Sequence, residues 1–186
     1  MSVSLFELFK IGLGPSSSHT VGPMSAANLF AADLAGQDVC SVEVVLYGSL
    51  SLTGKGHATD RAVTLGLTGR TPEQTLPEEA DCTWQDVKAN NRLALPDGRT
   101  IAFNPSSSIH FVNTPLPEHP NGVKFVAQDR HGQCVQEKIW FSVGGGFIAT
   151  AEQLHSQSDP SDTVLQPYPF FLLPTSVQAR CPSFHL

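Results

Sequence analysis

"SVEVVLYGSLSLTGKGHATDRAVTLGLTG", residues 41–69, is the stretch on which the fold turns. Its first residues alternate and are rich in β-branched side chains, the pattern of a half-buried strand over 41–47. Gly48 ends that run. Polar and small residues follow, and Gly-Lys-Gly-His then leads into apolar positions at helical spacing, which predicts a glycine-entered helix over 56–67. A strand handing over to a helix places sheet and helix on one hydrophobic core.

Working outward, "HTVGPMSAANLFAADLAG" (19–36) sets Met24, Ala27, Leu29, Phe30 and Leu34 near helical spacing. It predicts a helix from His19 to about Ala35, with Pro23 tolerated only in its first turn and Gly36 as its stop. "VSLFELFKI" (3–11) suits a short helix or turn. Residues 70–98 are rich in Pro, Asp, Glu and Asn, with one short helical possibility near "TPEQTLPEEAD" (71–81). Strands are expected near 99–103, 107–113, 122–129 and 134–142, the last two joined as a hairpin by the turn "DRHG" (129–132). "SVGGGFI" (142–148) ends the final strand in three glycines, and a helix starts within 149–155. The order gives an α+β fold, a mixed β-sheet with helices packed on one face. Residues 1–155 form one domain. Residues 156–186 are proline-rich and aperiodic and read as a linker or tail.

The 186 residues can bury a sizeable core. Charged residues make up only 15%, against about a quarter in average domains, so another chain or domain covers part of the surface, or the surface is neutral and polar. The net charge is −6 and no Lys/Arg cluster occurs, so the electrostatic footprint of a nucleic-acid binder is missing. No apolar run reaches the ~18 residues of a membrane span. The opening "MSVSLFELFKIG" lacks the basic and long apolar regions of a signal peptide, and the chain reads as cytoplasmic. Cys40, Cys82, Cys134 and Cys181 stand far apart in no metal-ligand pattern; reduced, mostly buried thiols are expected, and no metal site from these four.

Two loops carry the candidate chemistry. In "GPSSSHTVGP" (14–23), Ser16, Ser17, Ser18 and Thr20 offer hydroxyls, and the following helix start offers backbone N–H groups, together a cradle for a carboxylate or phosphate. His19 adds a group that titrates near neutrality. A serine-rich helix cap accounts for the same residues without a ligand. In the second loop His57 stands at a helix start after small residues. The Walker spacing is absent, as Gly56 follows Lys55, and no G-x-S-x-G elbow exists. His110, His119, His131, His155 and His185 have no ligand spacing and read as structural or exposed.

Taken together, "GPSSSHTVGPM" (14–24), "YGSLSLTGKGHATDRA" (47–62), "LPEHPNG" (116–122), "SVGGGFI" (142–148) and "PYPF" (167–170) resemble the N-terminal region of the iron–sulfur-dependent L-serine dehydratases. The resemblance runs from about Ser4 to Phe170. It implies a cytosolic, typically dimeric lyase that converts L-serine to pyruvate and ammonia with a [4Fe–4S] cluster in place of pyridoxal phosphate. It also implies that this β domain, similar to the allosteric substrate-binding domain of some phosphoglycerate dehydrogenases, precedes a larger helical α domain holding the cluster cysteines. Alone, the chain is then expected neither to bind the cluster nor to turn over serine. The family continues after "PYPF" into an amphipathic helix, whereas "FLLPTSVQARCPSFHL" does not, so a truncated or frame-shifted β domain, or an unusual end, is expected.

On that resemblance, cluster iron acts as Lewis acid on the substrate hydroxyl, a base removes the Cα proton, and donors hold the carboxylate. His19 and His57 become acid/base or carboxylate-orienting groups, and Ser16, Ser17, Ser18 and Thr20 the carboxylate donors. The residues leave open which histidine is the base. A regulatory small-anion module, or a dimerisation domain without catalytic residues, are the alternatives.

Overall fold

In a computed structural model of the chain, Gly14 and residues 16–156 are described. The segment 3–11, the "PYPF" motif and the stretch 157–186 lie outside the described residues. Six helices occur among the described residues: α1 (Val21–Asp33), α2 (Ser49–Gly54), α3 (Thr59–Leu67), α4 (Pro77–Asn90), α5 (Pro105–Ser108) and α6 (Ala151–Ser156). The strands are β1 (Ser41–Tyr47), β2 (Arg92–Ala94), β3 (Thr100–Ala102), β4 (Ile109–Val112), β5 (Gly122–Gln128), β6 (Cys134–Gly144) and β7 (Phe147–Ala149). They form one mixed sheet in the order β2-β3-β1-β5-β6-β7, with β4 also on β1. β3 and β4 run parallel to β1 and meet successive parts of it, Ser41 facing Ala102 and Val44–Tyr47 facing Ile109–Val112. β5 pairs antiparallel on the other side of β1. The fold is α+β.

The strand at 41–47 is as expected. Val42, Val44 and Leu46 are fully buried, and the residues between them are half-exposed. The buried face meets Ala27, Phe30 and Ala31 of α1, Leu34 just after it, and Val63 and Leu67 of α3. Phe30 stacks on Phe125 at 5.2 Å, and Trp140 meets both rings edge-on. Aromatic contacts of this kind add about 0.5–1.5 kcal/mol each beyond the area they bury. α1 ends before Gly36, which takes φ +77, and Arg99 donates to the carbonyl of Leu34 at 2.7 Å.

Elsewhere the structure departs from expectation for physical reasons. The predicted helix over 56–67 is two helices, α2 and α3, joined by a turn that contains His57. The short helix near 71–81 is the 14-residue α4, which starts later and runs further. Pro77 lies in its first turn, Glu78 and Glu79 favour its N-terminus, and Asn91 closes it in the left-handed region. Only Ala80 and Val87 of α4 are buried, so it carries little apolar periodicity. The strand placed at 107–113 is shorter, because Asn104 accepts from the Ser106 N–H at 2.9 Å and caps the brief α5. The three glycines do not end the sheet. Gly144, Gly145 and Gly146 take φ +100, +58 and +81, and the chain turns back as β7.

The contact that places the site lies between α1 and α3. A Cβ on Gly66 would run into the Met24 carbonyl and stand 2.7 Å from the Ala27 Cβ, so the two helix backbones touch there. The helices run side by side in the same direction: Met24 clusters with Ala62 and Leu65, and Asn28 donates to the Arg70 carbonyl. Their N-terminal ends are therefore neighbours. Gly66→Ala would gain about 1 kcal/mol of helix propensity but overpack a backbone contact, which costs about 1–3 kcal/mol. Met24's carbonyl cannot rotate away. The clash should win, lowering stability by ~1–2 kcal/mol in urea titrations.

Candidate active site

The chain enters α1 through a tight turn that ties up its own backbone. The Ser16 carbonyl accepts from the N–H groups of His19 (3.2 Å) and Thr20 (2.9 Å), and the Ser17 carbonyl accepts from Gly22. Met24 N–H goes to Thr20. Several amides expected to cradle an anion are thus already satisfied, and what faces outward is side chain. Ser16 Oγ and Ser18 Oγ lie 3.2 Å apart and within 3.2 Å and 3.0 Å of His19 Nδ1.

On the other side of His19, Nε2 meets Ser49 Oγ at 3.1 Å. Ser49 is held by the end of β1. Gly48 takes φ +53, and a Cβ there would strike the Pro120 carbonyl and lie 3.0 Å from Pro115. The Ser49 N–H donates to that same carbonyl at 3.0 Å. The loop before β5 thereby fixes the hydroxyl that meets His19.

His57 sits in the turn between α2 and α3. Its backbone N–H and its Nδ1 both reach the Thr53 carbonyl at 3.0 Å. A carbonyl only accepts, so Nδ1 carries a proton, and in the neutral tautomer this contact selects, Nε2 is the nitrogen with the lone pair. The ring centroids of His57 and His19 are 4.9 Å apart, tilted by 33°. Burial, then the neighbouring His57, hold the His19 pKa below the ordinary histidine value, against a hydrogen bond at Ser49 that raises it. Near neutral pH His19 is uncharged.

The sequence-selected residues do not all share one place. Ser16, Ser18, His19 and His57 converge. Thr20 is 2% exposed and donates its hydroxyl to the Ser16 carbonyl at 2.6 Å, so it closes the turn and offers nothing outward. Ser17 enters through its carbonyl. Ser49 and the Thr53 carbonyl were not singled out from the sequence; the signal was a serine directly after a strand-ending glycine. His119, read as structural or exposed, is half-buried with its pKa lowered by burial, and its Nδ1 accepts from the Asn121 N–H at 3.1 Å.

The described residues do not fit the implied iron–sulfur cluster. Cys40 is half-buried beside β1, while Cys82 and Cys134 are exposed, contrary to the expectation of mostly buried thiols. Cys181 lies outside the described residues. No three His, Cys, Asp or Glu side chains among those described gather to hold a metal ion. No helix among them is long and apolar enough to cross a membrane.

Comparison with known proteins bears on this arrangement. The family model described as the serine dehydratase beta chain matches residues 4–153. The chain is 42% identical over 175 residues to an L-serine dehydratase of Streptomyces coelicolor, covering 91% of this chain and 38% of that protein. It is 43% identical over 173 residues to L-serine dehydratase 1 of Escherichia coli, covering 90% and 37%. An L-serine dehydratase of Helicobacter pylori is 38% identical over 160 residues, covering 85% and 35%. The chain thus spans less than two fifths of the length of these curated relatives.

The lowered pKa values of His19 and His119 set a sign for stability. Above the ordinary histidine value both folded and unfolded chains hold these rings neutral. Below it the unfolded chain takes up protons that the folded chain resists, so stability falls as pH drops and levels off below the folded values. Asp97 and Asp129, whose pKa values are also lowered, add their loss only near about pH 4 and below. Urea midpoints should therefore decline between pH 7 and pH 5, and His19→Asn should flatten that decline; a wild-type midpoint constant over the interval would contradict the assignment.

Proposed function

The chain belongs to the serine dehydratase beta-chain family, and from that premise we propose that it supplies substrate-binding and acid–base groups for deamination of L-serine to pyruvate and ammonia. The active site is completed by the portion of the longer relatives that this chain does not span. One observation carries the reading: His57 Nδ1 is bound to the Thr53 carbonyl at 3.0 Å, which leaves Nε2 as a base beside His19.

His57 is the general base. Its Nε2 takes the Cα proton of serine, and the Thr53 carbonyl then stabilises the imidazolium through the Nδ1–H it already accepts. His19, with both nitrogens engaged by serine hydroxyls, is the orienting member of the pair. Its lowered pKa keeps a second positive charge away from the ring that must gain one. Ser16 and Ser18 each retain hydrogen-bonding capacity beyond His19 and hold the substrate carboxylate. After the Cα proton and the β-hydroxyl are lost, the aminoacrylate becomes an imine and hydrolyses in water. The [4Fe–4S] cluster of the resemblance would draw its ligands from outside the described residues, and release of the hydroxyl is not assigned to this chain.

The test joins the chain to the remaining C-terminal portion of the Streptomyces coelicolor relative and follows pyruvate formation from L-serine. His57→Ala should lower kcat by about 10²–10⁴-fold, the usual worth of a positioned base. Ser16→Ala and Ser18→Ala should act mainly on KM, since they touch the carboxylate in ground and transition states alike. A His57→Ala protein with undiminished kcat would remove the base assignment.

A further inference from the structure

A second concavity stands apart from the histidine pair, between the α2–α3 turn, α4 and the start of β4. It holds about 280 Å³ and is lined by Lys55, Asp60, Trp84, Lys88, Ile109 and Phe111 among others. Two observations mark it. The Lys55 ammonium lies over the Phe111 ring at 5.3 Å, and the Lys88 ammonium over the Trp84 ring at 5.5 Å. Neither lysine has an acidic partner within ion-pair distance among the described residues. Elsewhere cations such as Arg61, Arg70 and Lys124 do find carboxylates.

We propose that this cleft is a binding site for a small organic acid, its carboxylate between Lys55 and Lys88 and its apolar body on Trp84 and Phe111. An ammonium parked on a ring face gains more from a charge-assisted hydrogen bond to a carboxylate, so the ligand can draw both lysines inward. Two ammoniums against the single Asp60 carboxylate leave the lining one charge positive. That suits a monoanion or an amino acid, whose ammonium Asp60 would accept, better than a phosphate dianion. Aromatic and aliphatic walls with a few convergent polar groups are the usual make-up of a small-molecule site. Lys55 stands two residues before His57 on the same turn, yet the rings and hydroxyls of the histidine site do not line the cleft.

The full chain has two tryptophans; Trp140 is 7% exposed in the core, so a change on ligand addition reports on Trp84. Sodium benzoate, a monoanion on a flat apolar ring, should change this fluorescence saturably. Lys55→Met and Lys88→Met, which keep the side-chain length, should each weaken it at least ten-fold with unchanged unfolding midpoints. Inorganic phosphate should bind at least ten-fold more weakly than benzoate. A non-saturable response, full affinity in the Lys55→Met/Lys88→Met double variant, or phosphate binding as tightly as benzoate would each overturn the proposal.

Discussion

The approach of α3 to α1 at Gly66 is the constraint from which the site follows. Two helices whose backbones touch can slide or splay very little, because a carbonyl and a methyl group replace the compliant side chains that usually separate them. Since the helices run in the same direction, the contact also fixes the relation of their N-terminal ends. His19 precedes α1 by two residues and His57 precedes α3 by two. Gly14 reinforces this, lying against the Thr20 side chain and 3.3 Å, from a Cβ it lacks, to the His57 carbonyl. A 4.9 Å ring separation is thus a property of helix packing more than of the loops.

With several loop amides spent on loop carbonyls, what the candidate site presents is mainly side chain. This matters electrostatically. A helix start with open amides would favour a bound anion through partial positive charge. Here that field remains, but the side-chain groups gathered at the helix start are hydroxyls and imidazoles. Hydroxyls can donate or accept as the ring beside them requires, so His19 has no tautomer imposed on it, whereas the Thr53 carbonyl imposes one on His57. Two histidines of similar chemistry thus differ in how far their tautomers are fixed, through the partners of their nitrogens alone.

How much of this was legible in sequence depended on whether the signal was local. The strand at 41–47 was readable because one of its faces is buried and the other is not. α4 was legible only as a short helix near 71–81, since a helix with two buried residues writes almost no period into its sequence. α2 was hidden by its six-residue length and its Ser, Thr and Gly content, and α5 by a proline and serine run that also suits a strand exit. Within the site, the serine and histidine loops stood out as residue types at helix starts. Their convergence was expected only from the repeated layout of a histidine at a helix start; what brings it about, Gly66 against Met24 and Ala27, is a contact between two helices that no local pattern announces. Ser49 escaped because it meets His19 across thirty residues, and Thr53 because it acts through a backbone carbonyl, which no residue type signals. Thr20 erred the other way: a hydroxyl in a hydroxyl-rich loop invites a ligand role, and only its burial reveals that it serves the backbone.

The turn around His57 carries a conformational cost. Ala58 takes φ +57 and ψ +36, a left-handed conformation that disfavours a side chain by roughly 1–2 kcal/mol. Glycine would relieve it, and Gly54 and Gly56 stand close by in the sequence. A glycine at 58, however, would open a wider range of backbone angles next to His57. Around it, Thr59 is fully buried with its hydroxyl unpartnered, and a Cβ at Gly54 would stand 3.2 Å from the Phe111 ring and 3.5 Å from the Thr59 Cβ. Such local strain persists only where the surroundings over-determine it, and it concentrates at functional sites. Here the overdetermined object is the direction of one imidazole, and under the proposed function that direction is what would aim Nε2 at a substrate's Cα–H.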